Sequence, residues 1–113
     1  MVTVADVRAL AGTLPRSSEH LIRDRVKFRV GAIVYVAFSR DERTMGFGYP
    51  REQRDALVAA EPGLFFLPGP ADLRFHWVCC HLDRLDHEQM TELVTEAWRM
   101  VVPKFLARQR LGD

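Results

Sequence analysis

Between Leu21 and Val30 the chain reads LIRDRVKFRV, and its apolar residues recur every second position. Ile22, Val26, Phe28 and Val30 share one parity, and Arg23, Arg25, Lys27 and Arg29 share the other. Successive side chains of a strand point to opposite faces, so this alternation specifies an extended segment with one apolar and one cationic face. A helix would scatter both sets around its circumference. Asp24 interrupts the apolar parity and marks a turn or a bulge, so two short strands are the other reading. Gly31 then turns the chain into Ile33, Val34, Tyr35, Val36, Ala37 and Phe38, a β-branched and aromatic run of the kind found in central strands.

The remaining segments fall on either side of that sheet nucleus. Thr3 is placed to cap a first helix, and Val4, Val7, Leu10 and Ala11 then lie on one helical face. Gly12 followed by Leu14-Pro15 stops it. Residues 39–43 form a charged hairpin loop, and residues 44–49 the next strand, where Gly46 and Gly48 indicate a bulge or close backbone approach. Pro50 opens a short second helix carrying Leu57, Val58 and Ala60. Residues 64–67 form a short buried strand and residues 74–82 a long one, separated by the rigid Pro68-Gly69-Pro70 turn. Asp86 with Gln89 three residues on matches a capping box. Met90, Leu93, Val94, Ala97 and Val101 then trace a helical stripe, with Trp98 beside it. Pro103 disfavours helical geometry at Val102, so this last helix is interrupted there. Strands joined by short loops must run antiparallel. The expected fold is therefore α+β: an antiparallel sheet of five to six strands with helices packed mainly on one face.

A chain of 113 residues fits one domain, 1–113. The formal net charge is +1, so no global field draws the molecule to nucleic acid or anionic lipid, and any electrostatic binding rests on a local patch. The first residues lack the pattern of a secretory leader, and no apolar stretch is long enough to span a membrane. The two cysteines, Cys79 and Cys80, are neighbours on a strand and point apart. They read as reduced thiols of a cytoplasmic protein, with pairing between chains as the alternative. There is no internal repeat, and a monomer is the expected state.

The cationic parity is the most informative candidate site. Alternate strand residues lie ~6.6 Å apart, close to the ~6–7 Å between successive phosphates of a nucleic-acid strand. Arg23, Arg25, Lys27 and Arg29 can therefore track a backbone without reading sequence. The competing reading is a solvated strand face that guards a sheet edge. Continuation of the stripe through Arg40, Arg43, or Lys104 and Arg108 would favour nucleic acid, whereas isolation among acids would favour a protein-interaction or small-ligand module. His76, Cys79, Cys80 and His81 resemble a metal cluster only in one dimension. Strand geometry puts Cys79 and His81 on one face and His76 and Cys80 on the other, ~13 Å apart, so no metal and no cofactor are expected. No orienting group accompanies a Cys–His pair, and Glu88, Glu92 and Glu96 form one solvated helix face. No catalytic residue is assigned and an enzyme is not expected. Trp77, Trp98, Phe65, Phe66 and Phe75 read as core before they read as a ligand pocket.

The order of elements, with Leu14-Pro15 after the first helix, Phe28-Arg29-Val30-Gly31 at a strand end, Trp77 within His76-Trp77-Val78 followed by Leu82-Asp83, and Thr95 to Val101 in the last helix, resembles the MmcQ/YjbR family of small bacterial proteins. The resemblance covers nearly the whole chain. It implies a frataxin-like α+β fold, DNA binding through a double-wing arrangement as members are commonly described, and no enzymatic activity attached to the family as a whole. At the turn this chain has Gly31-Ala32 where the family often has Gly-Lys, so one cation the family offers to a phosphate is absent.

Overall fold

The computed structural model describes residues 1–111. Six strands, β1 (Ser17–Ile22), β2 (Arg25–Val30), β3 (Ile33–Phe38), β4 (Thr44–Gly48), β5 (Phe65–Phe66) and β6 (Trp77–His81), form one sheet in the order β1-β2-β3-β4-β6-β5. Every neighbouring pair is antiparallel. The helices are α1 (Val4–Ala11), α2 (Arg54–Ala60), α3 (His87–Arg99) and α4 (Lys104–Leu111). The α+β architecture with a six-stranded antiparallel sheet agrees with the expectation from sequence.

The alternating segment resolves into two strands rather than one. Arg23 and Asp24 both take positive φ, 52° and 64°, and so form a two-residue hairpin turn of the mirror-image kind that matches strand twist. The turn resets the parity. Leu21 lies opposite Val26 and Ile22 opposite Arg25, so Ile22 joins the cationic side and not the apolar one. Arg23 likewise sits at the hairpin tip, not within a strand. On β3 one extra residue, Tyr35, is inserted between Val34, which faces Arg29, and Val36, which faces Phe28. Its hydroxyl is buried and lies 2.5 Å from Ser17 Oγ on β1.

One face of the sheet holds the core. Val26, Phe28, Val30, Val36, Phe38, Met45, Phe47, Val78 and Cys80 are buried there against Val4, Val7 and Ala11 of α1 and Met90, Val94, Ala97 and Trp98 of α3. Both helices begin with the cap the sequence foretells. Thr3 and Asp6 form one capping box, Asp86 and Gln89 the other. Trp98 is fully buried, and its indole N–H donates to the Pro15 carbonyl at 2.8 Å, tying α3 to the turn after α1. Arg8 clamps the edge strand with a two-pronged ion pair to Glu19, at 2.7 and 2.9 Å. That bond holds the Glu19 carboxyl below the usual carboxylate range. Helix α3 stops at Arg99, and α4 begins only after Pro103, whose carbonyl accepts from Leu106 and Ala107. The break at Pro103 is the one its missing N–H dictates.

The long strand expected over residues 74–82 begins only at Trp77. Residues 70–76 instead form turns and a bend, with Asp72 N–H bonded to the Gly69 carbonyl and Phe75 N–H to the Asp72 carbonyl. Arg54 fixes the end of this loop by donating to the carbonyls of Phe75 and Trp77.

Candidate nucleic-acid interface

The sheet face opposite the helices is built from the other parity of each strand. On β2 it presents Arg25, Lys27 and Arg29, because Val26, Phe28 and Val30 are committed to the core. On β1 it presents Ser18, His20 and Ile22, the cross-strand partners of those three cations. On β3 and β4 it presents small residues, Ala37 opposite Lys27 and Gly46 opposite Ala37. On β6 it presents Trp77 and Cys79, with Cys79 opposite Gly46.

Three of the four predicted cations, Arg25, Lys27 and Arg29, therefore share one strand face as expected, and Arg23 reaches the same region from the turn. The β3–β4 loop comes up beside that turn, where Arg40 Nε donates to the Arg23 carbonyl at 3.2 Å. Ile22, Arg23, Arg25, Lys27 and Arg40 line a hollow of about 230 Å³ that contains no acidic residue. Among the described residues, none of Arg23, Arg25, Lys27, Arg29 or Arg40 has a carboxylate within 4 Å. The Nε of Arg29 is buried with no hydrogen-bond partner. Of the cations that could have extended the stripe, Arg40 does so. Arg43 does not: it lines a separate hollow of about 610 Å³ with Asp41, Glu42 and Asp83 beside the N-terminal residues. Lys104 and Arg108 lie on α4.

A second hollow, of about 210 Å³, adjoins the first and shares Arg25 and Lys27 with it. Its other lining residues are Val34, Ala37, Asp72 and Trp77. Trp77 reaches it by lying across β4. A Cβ added to Gly46 would come within 2.3 Å of the indole Nε1, so the ring rests directly on the glycine backbone. Gly46 marks close approach, as a glycine inside a strand implies, though by a side chain and not by a backbone. The expectation that the aromatic set is core holds for Trp98 and Phe65 but not for Trp77, which is half-buried, nor for Phe75, which is 50% exposed. What hid Trp77 was its register: only the pairing of Gly46 with Cys79 shows which face it takes.

The thiols are not poised for chemistry. Cys80 belongs to the core, and burial pushes its pKa up to about 12. Cys79 lies on the open face, and burial, with the charge of Asp72 nearby, pushes it up to about 11. Both stay protonated at neutral pH, and a protonated thiol is a poor nucleophile and ligand. Among the described residues no three His, Cys, Asp or Glu side chains come together in a way that could hold a metal ion.

The family model named YjbR matches residues 12–100, a span that includes all six strands, α2 and α3. In the solved structures, a Deinococcus radiodurans protein, DR2400, whose crystal structure contains the family-model domain DUF419, is similar at 25% sequence identity with a TM-score of 0.80. The similarity covers 99% of this chain and 89% of that one. No curated protein matches the chain.

Proposed function

This chain belongs to the YjbR family, and on that footing we propose that it is a non-catalytic nucleic-acid-binding module that grips phosphates with the uncovered face of its sheet. The observation that carries the reading is the acid-free hollow lined by Arg23, Arg25, Lys27 and Arg40, with Arg29 further along the same strand face. Cations aligned on one face and free of carboxylate partners cost the fold through mutual repulsion. An anionic partner removes that cost. Spacing along β2 matches the phosphate repeat of a nucleic-acid strand. The tip residue adds support: a non-glycine side chain at positive φ costs roughly 1 kcal/mol, yet the chain holds an arginine there.

Contacts of this kind position a protein on a backbone and read no bases. Binding is therefore weak and independent of sequence, the monomer is the binding unit, and a cytoplasmic location fits the role. The test is fluorescence anisotropy with two labelled 20-base-pair duplexes of unrelated sequence, from 50 to 200 mM salt. Both duplexes are expected to bind equally, with a logarithmic salt slope near −4 and no steeper than about −5, since five cations release at most about five counterions. Absence of binding at 50 mM salt would sink this reading and leave a protein or small-ligand partner in its place.

A further inference from the structure

The hollow beside the phosphate-binding cluster has a different chemistry. Its floor is the small side chain of Ala37 and its walls are Arg25 and Lys27 on one side and the Trp77 indole on the other. Strands β2 and β6 are three strand spacings apart, about 14 Å, so only long side chains leaning inward from both could line one trough. They do so because Ala37 and Gly46 leave the middle strands bare. The indole covers Gly46 and is only partly buried, and its N–H has no partner among the described residues. At about 210 Å³ the trough is smaller than the roughly 300–1,000 Å³ of sites for drug-sized ligands. It suits one planar ring system, not a whole cofactor.

We infer that this trough is a nucleobase site, with the base stacked against Trp77 and its phosphate held by Arg25 and Lys27, so that the domain takes single strands in preference to duplex. The inference rests on the phosphate-binding reading above, because the same two cations line both hollows. A base inside a duplex is stacked on its neighbours and cannot enter a trough in a sheet face. A base in a single strand is free to, and every base has a π-face to offer. Asp72, the one acid in the trough, repels phosphate from the Trp77 end. It thereby sets the polarity, with the phosphate at the β2 side and the base edge, with its N–H donors, at the loop side.

The experiment compares a 12-nucleotide single strand of mixed sequence, its 12-base-pair duplex and free AMP, with the wild-type chain and with Trp77→Leu and Trp77→Phe. Binding is read by anisotropy and by tryptophan fluorescence, and folding by thermal melts. Trp98, the other tryptophan, is fully buried, so quenching reports on Trp77. The single strand is expected to bind at least about ten-fold more tightly than the duplex and to quench Trp77, as stacking on one aromatic allows. Trp77→Leu is expected to bring the single strand down to the affinity of the duplex while leaving the duplex unchanged. Trp77→Phe, which keeps a ring, is expected to restore part of the preference. Equal binding of strand and duplex, insensitive to both substitutions, would overturn the base site and leave the phosphate reading standing. No binding of either nucleic acid would overturn both. AMP bound more tightly than the strand would reassign the trough to a free nucleotide and overturn the preference proposed here.

Discussion

At the scale of single residues, Gly46 is the position on which the open face depends. Its φ is ordinary, so backbone freedom is not what selects glycine there. The reason is space: a methyl at Gly46 would meet the indole at 2.3 to 3.0 Å across three atoms of a rigid ring. Either Trp77 swings away or β4 is pushed from it. Gly46→Ala is therefore expected to destabilise the fold by about 1–3 kcal/mol, the usual cost of forcing an extra methyl into a filled site. It should also shift the emission of Trp77 while leaving that of Trp98 in place. A melt that matches wild type together with an unchanged spectrum would show that the ring does not rest on the glycine. The sequence indicated that something approached Gly46 but not what. Trp77 is 31 positions away, and no local pattern ties the two.

At the scale of elements, the β1–β2 hairpin shows where pattern reading succeeds and where it stops. The alternation at residues 25–30 reports on burial, and Val26, Phe28 and Val30 are indeed core. The same alternation misplaces Ile22, because a two-residue turn between them shifts the phase. Asp24 marks the turn by breaking the apolar parity, but Arg23-Asp24 is not the Asn-Gly pair that usually fixes a two-residue loop, so its length, and with it the phase of β1, stays open. Residues 74–76 failed for a different reason: Arg74, Phe75 and His76 suit a strand by composition, but the chain there curls into turns, with Phe75 N–H bonded to the Asp72 carbonyl, and Arg54 holds the Phe75 carbonyl, a contact with no trace in the local sequence. Helix boundaries were legible, because caps and Pro103 act within a few residues of themselves. The turn also offers a test that separates stability from function. Arg23→Asn replaces a residue ill-suited to φ +52° with one that tolerates it, and is expected to stabilise the fold by roughly 0.5–1 kcal/mol, raising the melting temperature by a few degrees. On the proposed interface the same change takes away one phosphate contact, so the salt slope for duplex binding is expected to become shallower by about one. A variant that melts higher and binds with an undiminished slope would exclude Arg23 from the interface.

At the scale of the whole molecule, a net charge of +1 conceals a division between surfaces. The cations of β2 and its flanking loops gather on the face opposite the helices, while Glu88, Glu92 and Glu96 lie exposed on α3, which covers the other face. Composition could not show this, since it sums over both faces, whereas the sheet topology separates them. The division makes a charge reversal on the open face informative. Arg25 is exposed and Lys27 half-buried, and neither has a carboxylate partner to lose. Arg25→Glu combined with Lys27→Glu places two acids in the row where both hollows meet. The core beneath, on the opposite parity, is untouched. The unfolding free energy is expected to stay within about 0.5 kcal/mol of wild type, as for surface changes generally, or to rise slightly as repulsion with Arg23, Arg29 and Arg40 turns into attraction. Binding of both single strand and duplex should fall below detection at 50 mM salt, because two contacts are lost and two repulsions added. A double variant that unfolds would show that these side chains support the sheet itself. One that stays folded and still binds would take the proposed interface off the β2 face, because Arg25 and Lys27 line both hollows there.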